Sequence, residues 1–131
     1  MVRLKGLYLT KGRSGSDESR LQTYKKIKAT GIYGTVRVPA AKIDTSTLTL
    51  DVAHINERRH GVTQEEAVSY IKNAAFSLKR RHWTGETFLN YYSEEGASYV
   101  RTSDNVIRTS FKKDEFDKKT KSAMEVLKNG K

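Results

Sequence analysis

The chain has 131 residues, of which 36% are hydrophobic and 31% charged, a size and balance suited to one solvated globule with a single core. It contains no cysteine, which excludes disulfides, thiolate nucleophiles and Cys-ligated zinc. No apolar run approaches the roughly 18–20 residues of a membrane span, and the first twenty residues hold no continuous apolar segment of the secretory type. The expectation is a cytoplasmic protein without a membrane partner.

The net charge of +10 is unevenly distributed. Residues 1–30 carry eight basic and two acidic side chains, and residues 112–131 carry seven and four, so the middle of the chain is close to neutral. Basic ends around a neutral centre draw a polyanion from a distance, and nucleic acid is the usual one.

In chain order, Leu4, Leu7 and Leu9 around Tyr8 suggest a short strand, and KGRSGSDESR (11–20) a flexible loop. RLQTYKKIKA (20–29) predicts a basic helical turn or two before Gly31, with Lys25 and Lys26 as phosphate contacts. GTVRV (34–38) alternates and is β-branched, which predicts a strand ended by Pro39. KIDTSTLTLD (42–51) is Thr-rich and extended in character.

The strongest helical signal covers residues 63–81. Thr63 and Glu66 form a capping-box pair, and Gln64, Glu65 and Glu66 suit the positive end of a helix dipole. Ala67, Tyr70, Ile71, Ala74, Ala75 and Leu78 recur as one apolar stripe, predicting that Ala74 and Leu78 are buried. Lys79, Arg80 and Arg81 would then fill the last turn and offer cations to nucleic acid. Phe76 points off the stripe.

Beyond this helix the period changes to two. ETFLNYYS (86–93), ASYVRTS (97–103) and NVIRTSF (105–111) predict three strands separated by Glu-Glu-Gly and Ser-Asp-Asn turns. From Lys113 onward the composition is helical again, with Phe116, Ala123, Val126 and Leu127 available for docking. The expected class is α+β, a small antiparallel sheet of about four strands with helices packed on one face.

If Ser103-Asp104 is the tight turn, Val100 lies opposite Ile107 and both face the core with Thr109 and Phe111. Tyr99, Arg101, Arg108 and Ser110 then share the other face, where guanidinium forks suit phosphate oxygens. A slip of one residue would instead bring Thr109 into that group. His54 and His60 bracket Glu57, Arg58 and Arg59 just before the helix cap. Imidazoles titrate near neutrality and can move protons at a ribose hydroxyl or a leaving oxygen. The two arginines between them would contact phosphate. Their spacing does not match a zinc motif, and neither a metal nor an organic cofactor is expected. His82, beside Trp83, reads as a residue at a helix C-terminus that could stack on a base.

The order of a histidine-bearing helix, then a meander with Tyr-Tyr, Gly-x-x-Tyr-Val and Ile-x-Thr-x-Phe, resembles the barnase–EndoU–colicin–RelE-like nucleases, in the variant of phage proteins and bacterial polymorphic toxins. The resemblance covers residues 51–117. It divides a single domain, 1–131, into a basic N-terminal region (1–50) of unassigned structure, a nuclease-like core (51–117) and a C-terminal helix (118–131).

It implies RNA cleavage without metal, through a 2′,3′-cyclic phosphate, with His54 and His60 as general acid and base. By the same resemblance Thr109 is the polar residue of the last strand and Arg101 and Arg108 stabilise phosphate charge; Tyr99, on the face of the two arginines, is counted with the catalytic set. RNA is the expected partner, with DNA as a second candidate and an immunity or inhibitor protein as a third. The alternative is a non-catalytic nucleic-acid binder, or a phage inhibitor or structural module, using the same basic surface.

Overall fold

The computed structural model describes residues 2–4, 7–9, 16–39, 43–51 and 61–128. Two short antiparallel strands, β1 (Val2–Leu4) and β2 (Leu7–Leu9), pair Val2 with Leu9. Helix α1 spans Ser16–Ala29, so the loop expected over 11–20 is already helical from Ser16. Gly31, at φ +74°, supplies the left-handed turn into β3 (Thr35–Arg37). The Thr-rich stretch yields one two-residue strand, β4 (Thr49–Leu50).

Helix α2 covers Gln64–Lys72. The capping box forms as expected: Thr63 N–H donates to Glu66 Oε1 (2.9 Å), and Glu66 N–H to Thr63 Oγ1 (3.1 Å). The helix does not run to Arg81, however. Asn73 closes it, its N–H donating to Ser69 O (2.9 Å), and Phe76–Arg81 is strand β5.

The reason is tertiary. β5 lies between two strands, with Val36 opposite Leu78 on one side and Asn90 opposite Leu78 on the other. Two complete ladders outweigh the weak helical preference of the segment. Phe76 and Leu78, which no helix could place on one face, both become buried by alternation, while Ala74 is half-buried in the connection.

β6 (Thr87–Tyr92), β7 (Gly96–Arg101) and β8 (Val106–Lys112) follow as an antiparallel meander. A single turn of 3₁₀-helix (Lys113–Glu115) leads to helix α3 (Lys118–Lys128). The main sheet has six strands in the order β3-β5-β6-β7-β8-β4, all neighbours antiparallel except β4 with β8. It is therefore larger than the four strands expected, because β5, expected as the end of a helix, and the two-residue β4 both join it.

Helices also pack on both faces rather than on one. On the first face Phe76, Leu78, Tyr92 and Ala97 meet Tyr24 and Ile27 of α1, with Phe116 and Ala123 of α3. Phe76 stacks on Tyr92 at 5.2 Å, and Phe111 and Phe116 extend the aromatic cluster edge-on. On the second face Ala67 and Ile71 of α2 cover Val100 and Ile107.

The Tyr70 ring of α2 packs directly over Gly96. A Cβ there would overlap the Tyr70 ring and lie 2.6 Å from the backbone oxygen of Phe111. Among the described residues, no helix is long and apolar enough to cross a membrane.

Candidate active site

The β7–β8 hairpin positions most of the residues singled out above. Val100 does oppose Ile107, as its turn predicts. Between them and the next pair the ladder shifts by one: Tyr99 opposes Thr109, leaving Arg108 as the extra residue of a bulge. Because side chains alternate, that insertion reverses the faces beyond it. Thr109 consequently joins Tyr99 instead of the core under α2, and Phe111 packs on Tyr99 edge-on at 5.3 Å.

Ser110, expected beside Tyr99, faces α2 and is fully buried. Its hydroxyl lies 2.9 Å from Ser98 Oγ, while Ser98 donates to Ala67 O at 2.7 Å. These bonds satisfy both hydroxyls and staple α2 to the sheet.

Tyr99 is held on the first face by a 2.9 Å hydrogen bond between its hydroxyl and that of Tyr92. Burial, and then the neighbouring Tyr92, push its phenol well above the ordinary value of 10.0. It is thus a neutral hydrogen-bonding group across the working pH range and a poor proton acceptor. Asn90, which opposes Tyr99 from β6, is buried, and its side-chain carbonyl has no hydrogen-bond partner. An unsatisfied buried acceptor costs about 1–3 kcal/mol. Sequence reading passed over Asn90, although an Asn at an inward position of TFLNYY was a visible signal.

The two hairpin arginines are each engaged by carboxylates. Arg101 makes a fork with Asp104, Nε to Oδ1 at 3.0 Å and Nη2 to Oδ2 at 2.8 Å, and its Nη1 lies 3.4 Å from Glu86 Oε2. The Arg101 guanidinium beside Asp104 holds that carboxyl below the usual range. Arg108 makes a single contact, Nη1 to Asp51 Oδ2 at 2.8 Å, and is half-buried. Four of the five N–H donors of its guanidinium are outside that contact, whereas Arg101 engages carboxylates through Nε, Nη1 and Nη2.

Lys79, Arg80 and Arg81 do not share a helical turn. On β5 they alternate, so Arg80 lies on the face of Leu78 and Lys79 with Arg81 on the other. Arg80 Nε donates to Tyr33 O at 2.8 Å. Lys25 and Lys26 lie on α1, far along the chain from the hairpin, with Lys25 exposed and Lys26 half-buried.

At the β5–β6 turn, His82 Nδ1 is 2.9 Å from Thr84 Oγ1, which donates to Glu86 Oε1 at 3.0 Å. His82 therefore belongs to a hairpin turn, not a helix end, and its partner Thr84 shares the Glu86 carboxylate with Arg101.

His54, His60, Arg58 and Arg59 lie outside the described residues. The described chain stops at Asp51, whose N–H donates to Ile107 O at 3.0 Å, and resumes at Gly61, where a Cβ would lie 4.0 Å from Lys112 Nζ. Both ends thus adjoin β8. Among the described residues, no three His, Asp or Glu side chains form a group that could hold a metal ion.

Comparison with family models, with curated proteins and with solved structures finds no match to this chain.

Proposed function

We propose that the protein is an endoribonuclease that needs no metal and cuts RNA at the β8 side of its sheet. The observation that carries this reading is the bulge at Arg108, which brings Thr109 onto the face of Tyr99 beside a guanidinium with donors to spare. Chain length supports it. His54 is three residues beyond Asp51, within about 11 Å at full extension, and His60 is joined directly to Gly61. The segment that carries both histidines is thus joined at each end to a residue beside β8.

In the proposed reaction one histidine takes the proton of a ribose 2′-hydroxyl. The 2′-oxygen then bonds to phosphorus as the P–O5′ bond breaks, leaving a 2′,3′-cyclic phosphate. The second histidine, protonated, gives its proton to the departing 5′-oxygen. Arg108 meets the phosphorane charge, where fixed charges act most strongly. Thr109 donates a hydrogen bond to a phosphate oxygen, and Tyr99, neutral, holds the surface on which the sugar lies. Arg101 positions the hairpin through Asp104 rather than touching phosphate.

The test is digestion of total RNA in EDTA with analysis of fragment ends. Cyclic phosphate ends are expected. His54→Ala and His60→Ala should each slow cleavage by a factor on the order of 10² or more with binding largely kept. Full activity in the double variant, or activity abolished by EDTA, rejects the mechanism.

A second reading, a nucleic-acid binder without catalysis, is favoured by one observation. The carboxylate partners of Arg101 and Arg108 give those charges a structural use that requires no substrate. Tight RNA binding with intact RNA after prolonged incubation would select it.

A further inference from the structure

Among the described residues, two large hydrophobic side chains are strongly exposed, Tyr33 at 66% and Trp83 at 89%. They occupy one corner of the molecule. Trp83 lies two residues past Arg81 in the β5–β6 turn. Tyr33 lies at the entry to β3, whose first paired residue, Thr35, stands opposite Lys79. The Arg80 guanidinium stands 5.5 Å over the Tyr33 ring, and its Nε donates to the Tyr33 carbonyl, so Tyr33 sits beside Arg80. Tyr33 thus meets the Lys79-Arg80-Arg81 run at Arg80, and Trp83 follows that run by two residues in the chain.

Neither aromatic is loosely held. The backbone N–H of His82 donates to Glu86 O at 2.7 Å and that of Gly85 to His82 O at 2.9 Å, with Gly85 at φ +93°. The His82 ring backs the indole at 5.3 Å and itself leans on Phe88 at 5.8 Å, while Thr84 fixes its Nδ1. Tyr33 is fixed by Arg80. A rigid turn that holds an apolar indole in water gains nothing from folding, since burial is what makes an aromatic stabilising.

The charges around it differ from those of β7 and β8. Among the described residues, no carboxylate pairs with Lys79 or Arg81, and both are exposed on the same face of β5. They sit about 7 Å apart, two residues along a strand. Arg37 extends the row from β3, opposite Ser77.

We infer that this corner binds single-stranded RNA, with Lys79, Arg81 and Arg37 following successive phosphates and Trp83 and Tyr33 each stacking an unpaired base. A basic track interleaved with aromatic platforms is the general solution for single strands, because every base has a π face and only an unpaired one can leave its stack. A duplex fits the same charges but offers no base to the indole. The inference rests on the nucleic-acid reading above and assigns it a substrate form and a site distinct from the one that would cut.

The experiment uses the one tryptophan of the chain as its own reporter. A short 2′-O-methyl oligouridylate, which has no free 2′-hydroxyl to attack phosphorus, is titrated into the full-length protein while indole fluorescence and affinity are followed separately. Quenching that saturates with binding is expected, and the same oligonucleotide annealed to its complement should bind more weakly and leave the indole unquenched. Trp83→Ala should weaken single-strand binding by roughly five-fold to a hundred-fold, Tyr33→Ala should weaken it too, and Trp83→Phe should recover part of the loss.

Because Trp83 is so exposed, its removal leaves the core untouched, so a folding defect would not be mistaken for lost binding. Binding without quenching, equal quenching by the duplex, or unchanged affinity in Trp83→Ala overturns the inference. RNA that quenches the indole but is never cut overturns the nuclease reading and leaves this surface standing. RNA that is cut, with Trp83→Ala binding as tightly as the parent, does the reverse.

Discussion

The β7–β8 hairpin and the end of β5 are both rich in cations, yet they use them in opposite ways. In the hairpin every arginine has a carboxylate: Arg101 has Asp104 and Glu86, and Arg108 has Asp51. Its hydroxyls are paired as well, Ser98 with Ser110 and Tyr99 with Tyr92. At the end of β5, Lys79 and Arg81 stand without carboxylates among the described residues, with the exposed Tyr33 ring beside Arg80 and the exposed Trp83 two residues further on. Paired charges fix the geometry of a strand and its turn. Unpaired charges beside bare aromatics contribute nothing to that geometry and are left for a partner. Equal charge density on a sheet is therefore no guide to function until the counter-charges are placed.

The contrast predicts that substitutions on the two sides will fail in different assays. The largest effect on folding should come from Gly96→Ala, at the start of β7. The added methyl meets the Tyr70 ring and the Phe111 carbonyl, and overpacking of this kind costs about 1–3 kcal/mol, more when backbone must move. Chemical denaturation should show a lower midpoint with an unchanged slope. A variant as stable as the parent would mean that α2 is not seated on β7 as described.

Salt dependence sharpens the other half of the comparison. Lys79→Ala and Arg81→Ala should leave the melting temperature within experimental scatter and each lower the slope of log affinity against log salt by about 1. Arg101→Ala should do the opposite, lowering the melting temperature through the loss of its fork to Asp104 while leaving the salt slope nearly unchanged. A salt slope that falls with Arg101 and not with Lys79 would exchange the roles given to the two regions.

The smallest effects should appear in pH titrations. Asp104 is held below its ordinary value of 3.8 by Arg101, so the stability it contributes is complete above that value and is lost as pH falls through the depressed one. Asp104→Asn should flatten that part of the acid limb. At the alkaline end the phenol of Tyr99 is pushed up, so the folded state keeps a proton that the unfolded chain loses above 10.0. Stability should decline as pH rises past that point, and Tyr99→Phe should remove this contribution. Identical pH curves for each variant and its parent would show that neither group is placed as described.

Much of the fold was legible in the residues. The start of α2 was readable because Thr63 and Glu66 cap it by local hydrogen bonds that need no tertiary partner. The three strands after Glu86 were readable because their alternation and turn residues are also local. Opposing Val100 to Ile107 followed from the turn between them.

The end of α2 was not legible. FSLKRR has a helical neighbour in sequence, and it becomes a strand because β3 and β6 are waiting on either side. The off-stripe position of Phe76 was the one local sign of it. Within the candidate site, the types of residue were legible and their faces were not. Tyr99, Arg101 and Arg108 are where a strand would place them, but one inserted residue moved Thr109 toward Tyr99 and Ser110 into the core.

By itself, then, the sequence determined what is decided within a few residues: a cap, a period, a turn, the excess of positive charge, the absence of thiols. Tertiary structure decided what depends on contacts between distant residues. It set the six-stranded sheet with residues before 51 at both edges, the bulge at Arg108, the pairing of Arg108 with Asp51, and the corner that gathers Tyr33 with Arg80 and Trp83. The physical reason is range. Hydrogen bonds of caps and turns close small loops and are written in adjacent residues, whereas a ladder, a counter-ion or an exposed ring takes its meaning from whichever surface the folded chain brings beside it.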